Sequence, residues 1–168
     1  LPVPRGYDAS VQMDAVWDGE HLMVWWPNAS VLAQLSPATG AWTVLTPPAM
    51  SLVIGGTADL LLLGDTLVAA AGSDRSAPSL AVLDPSGQWL PIEAPTAFTG
   101  FRSAITIDQG LLVAGQSGFD LVSAVWDPAT GRWSEPEAVP LPSCEGYPEP
   151  IPAPDGRVLW WGWCNQGV

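Results

Sequence analysis

One turn sequence occurs three times in this chain. Ser36-Pro37-Ala38-Thr39-Gly40-Ala41-Trp42, Asp84-Pro85-Ser86-Gly87-Gln88-Trp89 and Asp127-Pro128-Ala129-Thr130-Gly131-Arg132-Trp133 share one pattern. Their Trp residues recur at intervals of 47 and 44 residues (42 to 89, 89 to 133). A second marker runs in phase with the first. Asp18-Gly19, Gly64-Asp65, Gln109-Gly110 and Asp155-Gly156 each separate two apolar runs, the signal for a tight hairpin. A fixed period of this length describes a supersecondary unit that buries its core only by stacking on its neighbours.

Each unit holds four runs of strand length. In the third, residues 103–108 lead through Gln109-Gly110 into 111–114, a loop at 117–120 leads to 121–126, and the turn 127–131 leads to Trp133. Pro128 presets φ for the first turn position and Gly131 supplies a positive φ before the chain reverses. Four short antiparallel strands repeated every ~40–50 residues describe a β-propeller blade. A β-helix uses shorter repeats, and a two-sheet sandwich is the remaining alternative. The expected fold is all-β: a single partial domain over 1–168, in units of about 10–50, 56–96 and 100–141 with a half unit at 146–168. About three and a half blades leave the ring incomplete. Because the chain opens on Leu1, a processed or excised segment is expected. Open blade faces rich in Trp, Leu and Val aggregate unless covered. Another copy, or the rest of a longer chain, is therefore the expected partner.

These turns resemble the kelch repeat, whose unit carries Tyr-Asp-Pro-x-Thr-x-x-Trp after a strand ending in Gly-Gly. Val125-Trp126-Asp127-Pro128-Ala129-Thr130-Gly131-Arg132-Trp133 is the fullest copy, and Arg102 resembles the Arg that precedes the apolar strands of such units. The Gly-Gly pair is reduced to one Gly at Ala71-Gly72, Ala114-Gly115 and Trp161-Gly162, and the first unit reads Trp26-Pro27. The resemblance implies a kelch-like propeller. It implies no single activity, because the family is defined by its blades. Some secreted members are copper radical oxidases needing two His and a Tyr crosslinked to Cys; His21, Tyr7 and Tyr147 do not supply that set.

Charge narrows the partners. Seventeen acidic residues against five basic ones, all Arg, give a net charge of −12, a field that repels nucleic acid and anionic membranes. No apolar run is long enough to span a bilayer. The acids form no Asp-x-Asp-x-Asp calcium loop, and Cys144, Cys164 and His21 are too few for a zinc site. No metal or other cofactor is expected. Hydrophobic residues at 48% rule out disorder as the default.

The candidate chemistry is sparse. Counting outward from Asp155-Gly156, Cys144 and Cys164 both lie about nine to eleven residues away, so antiparallel pairing brings them to one end of a hairpin. A disulfide, and with it a secreted or periplasmic location, is expected. Trp25-Trp26 and Trp160-Trp161-Gly162-Trp163 could form a sugar-stacking platform, but adjacent strand residues face opposite sides and the expectation is one ring in each interface. Trp163 is the ring expected at the surface. His21 is the only histidine, so no Ser-His-Asp arrangement is arguable. Glu135 and Glu137, flanked by Pro136 and Pro140, read as solvated loop acids. The connections at 73–79, 116–120 and 142–148 are the long loops expected to carry a binding surface. The function that fits is a non-catalytic extracellular binding or assembly module with a protein or carbohydrate ligand. The alternatives are a fragment of a secreted oxidase or glycan-active enzyme with catalytic residues elsewhere, and a structural subunit associating through open blade edges.

Overall fold

The structure, a computed structural model, describes residues 13–50, 56–139 and 148–161. It is all-β apart from one short 3-10 turn at Pro27–Ala29. The strands are β1 (Asp14–Trp17), β2 (Leu22–Trp26), β3 (Val31–Ser36), β4 (Ala41–Leu45), β5 (Thr57–Leu63), β6 (Thr66–Ser73), β7 (Ser76–Leu83), β8 (Trp89–Ile92), β9 (Gly100–Ile107), β10 (Gly110–Ser117), β11 (Asp120–Asp127), β12 (Arg132–Trp133), β13 (Glu137–Ala138), β14 (Glu149–Pro152) and β15 (Val158–Trp161). They form three sheets, β1-β2-β3-β4, β5-β6-β7-β8 and β12-β11-β10-β9, with β13 also pairing β11, and a two-stranded sheet β14-β15. Each large sheet is a meander in which sequence order is spatial order, the connectivity of a propeller-type blade.

The chain divides into two compact units, one of Leu1–Ala71 with Ser79–Glu93, the other of Gly72–Pro78 with Ala94–Val168. In the first unit, one face of the β1–β4 sheet buries Met23, Trp25 and Leu32 against Ala58, Leu60, Leu67, Ala69 and Ala71 of β5 and β6. The other face buries Val24, Trp26 and Ala33, with Trp42 packed against them. Trp25 and Trp26 therefore go to opposite faces, as the period of two dictates. Their rings are among the largest fully buried side chains.

Middle strands lose the alternation of a half-exposed sheet. In β6, Leu67 to Gly72 are all buried, and in β10 so are Gly110 to Gly115. Small residues suit strands covered on both faces, and the Ala69-Ala70-Ala71 run lets the neighbouring large rings approach. Among the motif tryptophans, Trp89 packs on the Met23–Trp25 cluster and donates from Nε1 to the Thr46 carbonyl (2.9 Å). Trp42 instead packs on Trp26 of its own sheet, ring centroids 6.2 Å apart.

Two local expectations are corrected. The connections at 73–79 and 116–120 are not long loops. β6 and β7 run on until only Asp74 and Arg75 lie between them, and β10 and β11 leave only Gly118 and Phe119. The polar residues that read as loop are absorbed by local bonding: Ser73 N–H donates to Ser76 Oγ (2.9 Å), and Gly118 adopts a φ of +65°. Glu137, expected in a loop, lies on β13, pairing with Ser123 of β11. The third connection, 142–148, falls almost wholly outside the described residues.

Candidate functional site

The acids of the repeated turns are the first candidates, and the fold uses them as staples. Asp84 Oδ1 accepts from the backbone N–H groups of Ser86 (2.9 Å) and Gln88 (2.8 Å) and from Ser86 Oγ (2.7 Å). Asp127 accepts from Ala129 N–H and Thr130 Oγ1, both at 2.8 Å. These are Asx turns, in which a short side chain replaces a backbone acceptor. At the first hairpin, Asp18 Oδ1 accepts from the N–H groups of Glu20 (2.8 Å) and His21 (2.6 Å), and its Oδ2 lies 3.5 Å from His21 Nδ1. Asp155 does the same for Arg157 through N–H and Nε.

All four carboxyls are held below the ordinary carboxylate range. The Gln88 N–H does this for Asp84, the Thr130 hydroxyl for Asp127 and the Arg157 side chain for Asp155. At Asp18 burial pulls the other way and is outweighed by the His21 and Glu20 N–H groups and the His21 ring. Donors aimed at the charged form favour it. A carboxyl so stabilised is a poor general acid near neutrality. His21 is likewise part of its own turn.

A denser polar junction lies at the β6–β7 and β10–β11 tips in the second unit. Arg102, on β9, pairs through Nη1 with Asp74 Oδ1 at 2.6 Å, and its side chain is only 15% exposed. With the Gln116 carboxamide oriented to satisfy both neighbours, its nitrogen donates to the Asp74 carbonyl (2.8 Å) and its oxygen accepts from Arg102 Nη2 (3.1 Å). The Gln116 carbonyl accepts from Thr99 N–H (2.7 Å), and Gly118 N–H donates to Thr99 Oγ1 (3.2 Å). Gly100 is required here, because a Cβ would strike the Asp74 carbonyl, whose carbon would lie 2.8 Å away. Arg102 therefore bonds to residues of both tips, Asp74 and Gln116. Those tips present Arg75, exposed and without an ion-pair partner among the described residues, and Phe119, whose side chain is fully exposed.

A shallow depression of about 350 Å3 lies at the edge of the third sheet, lined by residues including Gln109, Asp127, Arg132 and Trp133. Asp127 and Thr130 bond to each other and Ser134 Oγ accepts from the Val125 N–H, and Gln109 and Arg132 are further polar side chains of its lining. Among the described residues no group of three or more His, Cys, Asp or Glu could hold a metal ion. No described helix is long and apolar enough to cross a membrane.

No protein-family model and no curated protein matches the chain. Among solved structures it is similar to puromycin hydrolase, at 22% identity and a TM-score of 0.48 over 87% of this chain and 24% of that one. It is also similar to a protein from Lactobacillus plantarum, at 18% identity and a TM-score of 0.46 over 73% of this chain and 39% of that one. The chain thus spans about a quarter of the hydrolase's length. At these TM-scores neither likeness assigns a role to any residue.

Of the residues singled out from sequence, Cys144, Trp163 and Cys164 lie outside the described residues. Trp160 and Trp161 stand on β15, half-buried and exposed respectively. Asp74, Gln116 and Phe119 fall in the connections 73–79 and 116–120 that the sequence offered as a binding surface, whereas Thr99 had no sequence signal. Only the resemblance pointed to Arg102.

Proposed function

We propose that the chain is a non-catalytic binding module that takes a protein partner on the rim formed by the Asp74-Arg75 and Gly118-Phe119 tips. The observation that carries this reading is the junction beneath them: a nearly buried Arg102, Asp74, Gln116 and Thr99 hold two tips rigidly, and the tips present Arg75 and Phe119, which the described fold does not use. A rigid base lowers the ordering cost of binding, and Arg and aromatic side chains are favoured anchors. In a chain of net charge −12, Arg75 is a local attraction for an acidic segment with an apolar residue beside it. The repeated acids support a non-catalytic role because turns consume them. An extracellular location belongs to the same proposal and rests on pairing of Cys144 with Cys164.

Peptide and glycan arrays probed with the chain and with an Arg75→Ser/Phe119→Ser double variant test this. Acidic, aromatic-containing peptides retained by the parent and lost by the variant support it. Undiminished binding by the variant, or retention of glycans alone, refutes it.

A further inference from the structure

The last hairpin repeats, position for position, the face by which the first hairpin meets a second sheet. Backbone bonds from Asp18 N–H to the His21 carbonyl and from Ala153 N–H to the Arg157 carbonyl close the two turns. Counting outward, Trp17 opposite Leu22 corresponds to Pro152 opposite Val158, and Val16 opposite Met23 to Ile151 opposite Leu159. Asp14 opposite Trp25 then corresponds to Glu149 opposite Trp161. Directly opposed residues share a face. Each hairpin thus carries on one face an acid beside a Trp, with an apolar pair one step nearer the turn.

In the first hairpin this face is filled. Met23 and Trp25 are buried, Val16 packs with them, and all three lie in the cluster formed with Ala58, Leu60, Leu67, Ala69 and Ala71. Asp14 Oδ2 accepts from the Leu60 N–H at 2.6 Å, joining the first sheet to the first strand of the next. In the last hairpin the corresponding positions are open: Ile151 is 44% and Leu159 53% exposed, and Glu149 is exposed. The opposite face is the covered one, with Pro150 buried and Val158 and Trp160 half-buried.

We propose that Glu149, Ile151 and Leu159 form the seat of a further four-stranded sheet carried on the same polypeptide. The Glu149 carboxylate accepts an N–H from that sheet's first strand, as Asp14 does from Leu60. The filled counterpart defines the occupant's chemistry: a sheet face of alanine and leucine with one inward N–H opposite the acid. It also argues for a covalent neighbour, because the sheet that fills the first seat is the next one in sequence. A second copy fits less well. Two chains of charge −12 repel. The outer face of the first sheet, which a second copy would have to offer, already has Val24, Trp26 and Ala33 buried.

Carbene footprinting of the 168-residue chain, and of the natural polypeptide carried through one further repeat, tests the seat. Ile151 and Leu159 should label strongly in the shorter chain and several-fold less in the longer, while exposed Val44 labels equally in both. Leu159→Asp should leave the melting temperature of the shorter chain unchanged and lower that of the longer by several degrees. In the longer chain Glu149→Gln, which keeps an acceptor oxygen, should cost less than Glu149→Ala. Equal labelling of Ile151 and Leu159 in both lengths would overturn the proposal. So would protection that grows with concentration in the shorter chain, or a natural polypeptide with no further repeat. Rim variants at Arg75 and Phe119 leave these readouts unchanged, so the two readings fail separately.

Discussion

Trp25→Ala gives the sharpest test of how the first two sheets are held. The ring is 1% exposed and sits among Met23, Leu32, Leu60 and Ala69. Truncation removes the transfer energy of an indole and leaves a cavity that strands hydrogen-bonded on either side cannot collapse into. Large-to-small changes of this kind cost about 3–5 kcal/mol, against a total stability of about 5–15 kcal/mol for an ordinary domain. With a urea slope of about 1–3 kcal/mol per molar, the midpoint should fall by at least ~1 M. Val44→Ala, at a position 62% exposed in the same sheet, is the control and should move it little. Urea unfolding followed by near-ultraviolet circular dichroism measures both. Equal shifts for the two variants would refute face-to-face packing around Trp25.

Other outcomes follow from the same contacts. Gly100→Ala forces a methyl onto the Asp74 carbonyl, which the Arg102 and Gln116 bonds hold in place, and should destabilise by about 1–3 kcal/mol in thermal melts. The lowered carboxyls of Asp18, Asp84, Asp127 and Asp155 contribute stability that is present above the ordinary carboxylate range and lost as pH falls through their lowered folded values. A variant with all four changed to Ala should therefore melt with a flatter dependence on pH on the acid side than the parent. If Cys144 and Cys164 pair, intact mass under non-reducing conditions is lighter by the two thiol hydrogens, and alkylation labels neither.

The repeat was legible because its parts act locally. Asp127, Thr130 and Gly131 close their turn within a few residues, so their spacing carries the geometry directly. Trp25 and Trp26 obey the strand period, which needs no knowledge of the partner sheet. The rim was misread for the converse reason. Ser73, Asp74, Arg75 and Ser76 have the composition of a loop, yet tertiary bonds from Arg102 and Gln116 let the strands continue almost to the tip. Asp74 and Arg102 are 28 residues apart (74 to 102), and Asp14 and Leu60 46 apart. Nothing local at either end announces the other. The seat at Glu149 emerged only once register was known, because the two hairpins close on turns of different length and a sequence alignment of their Trp pairs is off by one residue.

Hydrogen exchange at the Leu60 amide tests most directly that these sheets dock as repeated blades. Leu60 N–H points out of its own sheet to Asp14, so its protection reports the docking of two sheets and not the pairing within one. Blade-on-blade packing predicts slow exchange at Leu60 that Asp14→Ala accelerates selectively, leaving the Val24 and Ala33 amides of the first sheet protected. A Leu60 amide exchanging as fast as that of exposed Phe119, or one indifferent to Asp14→Ala, would contradict it.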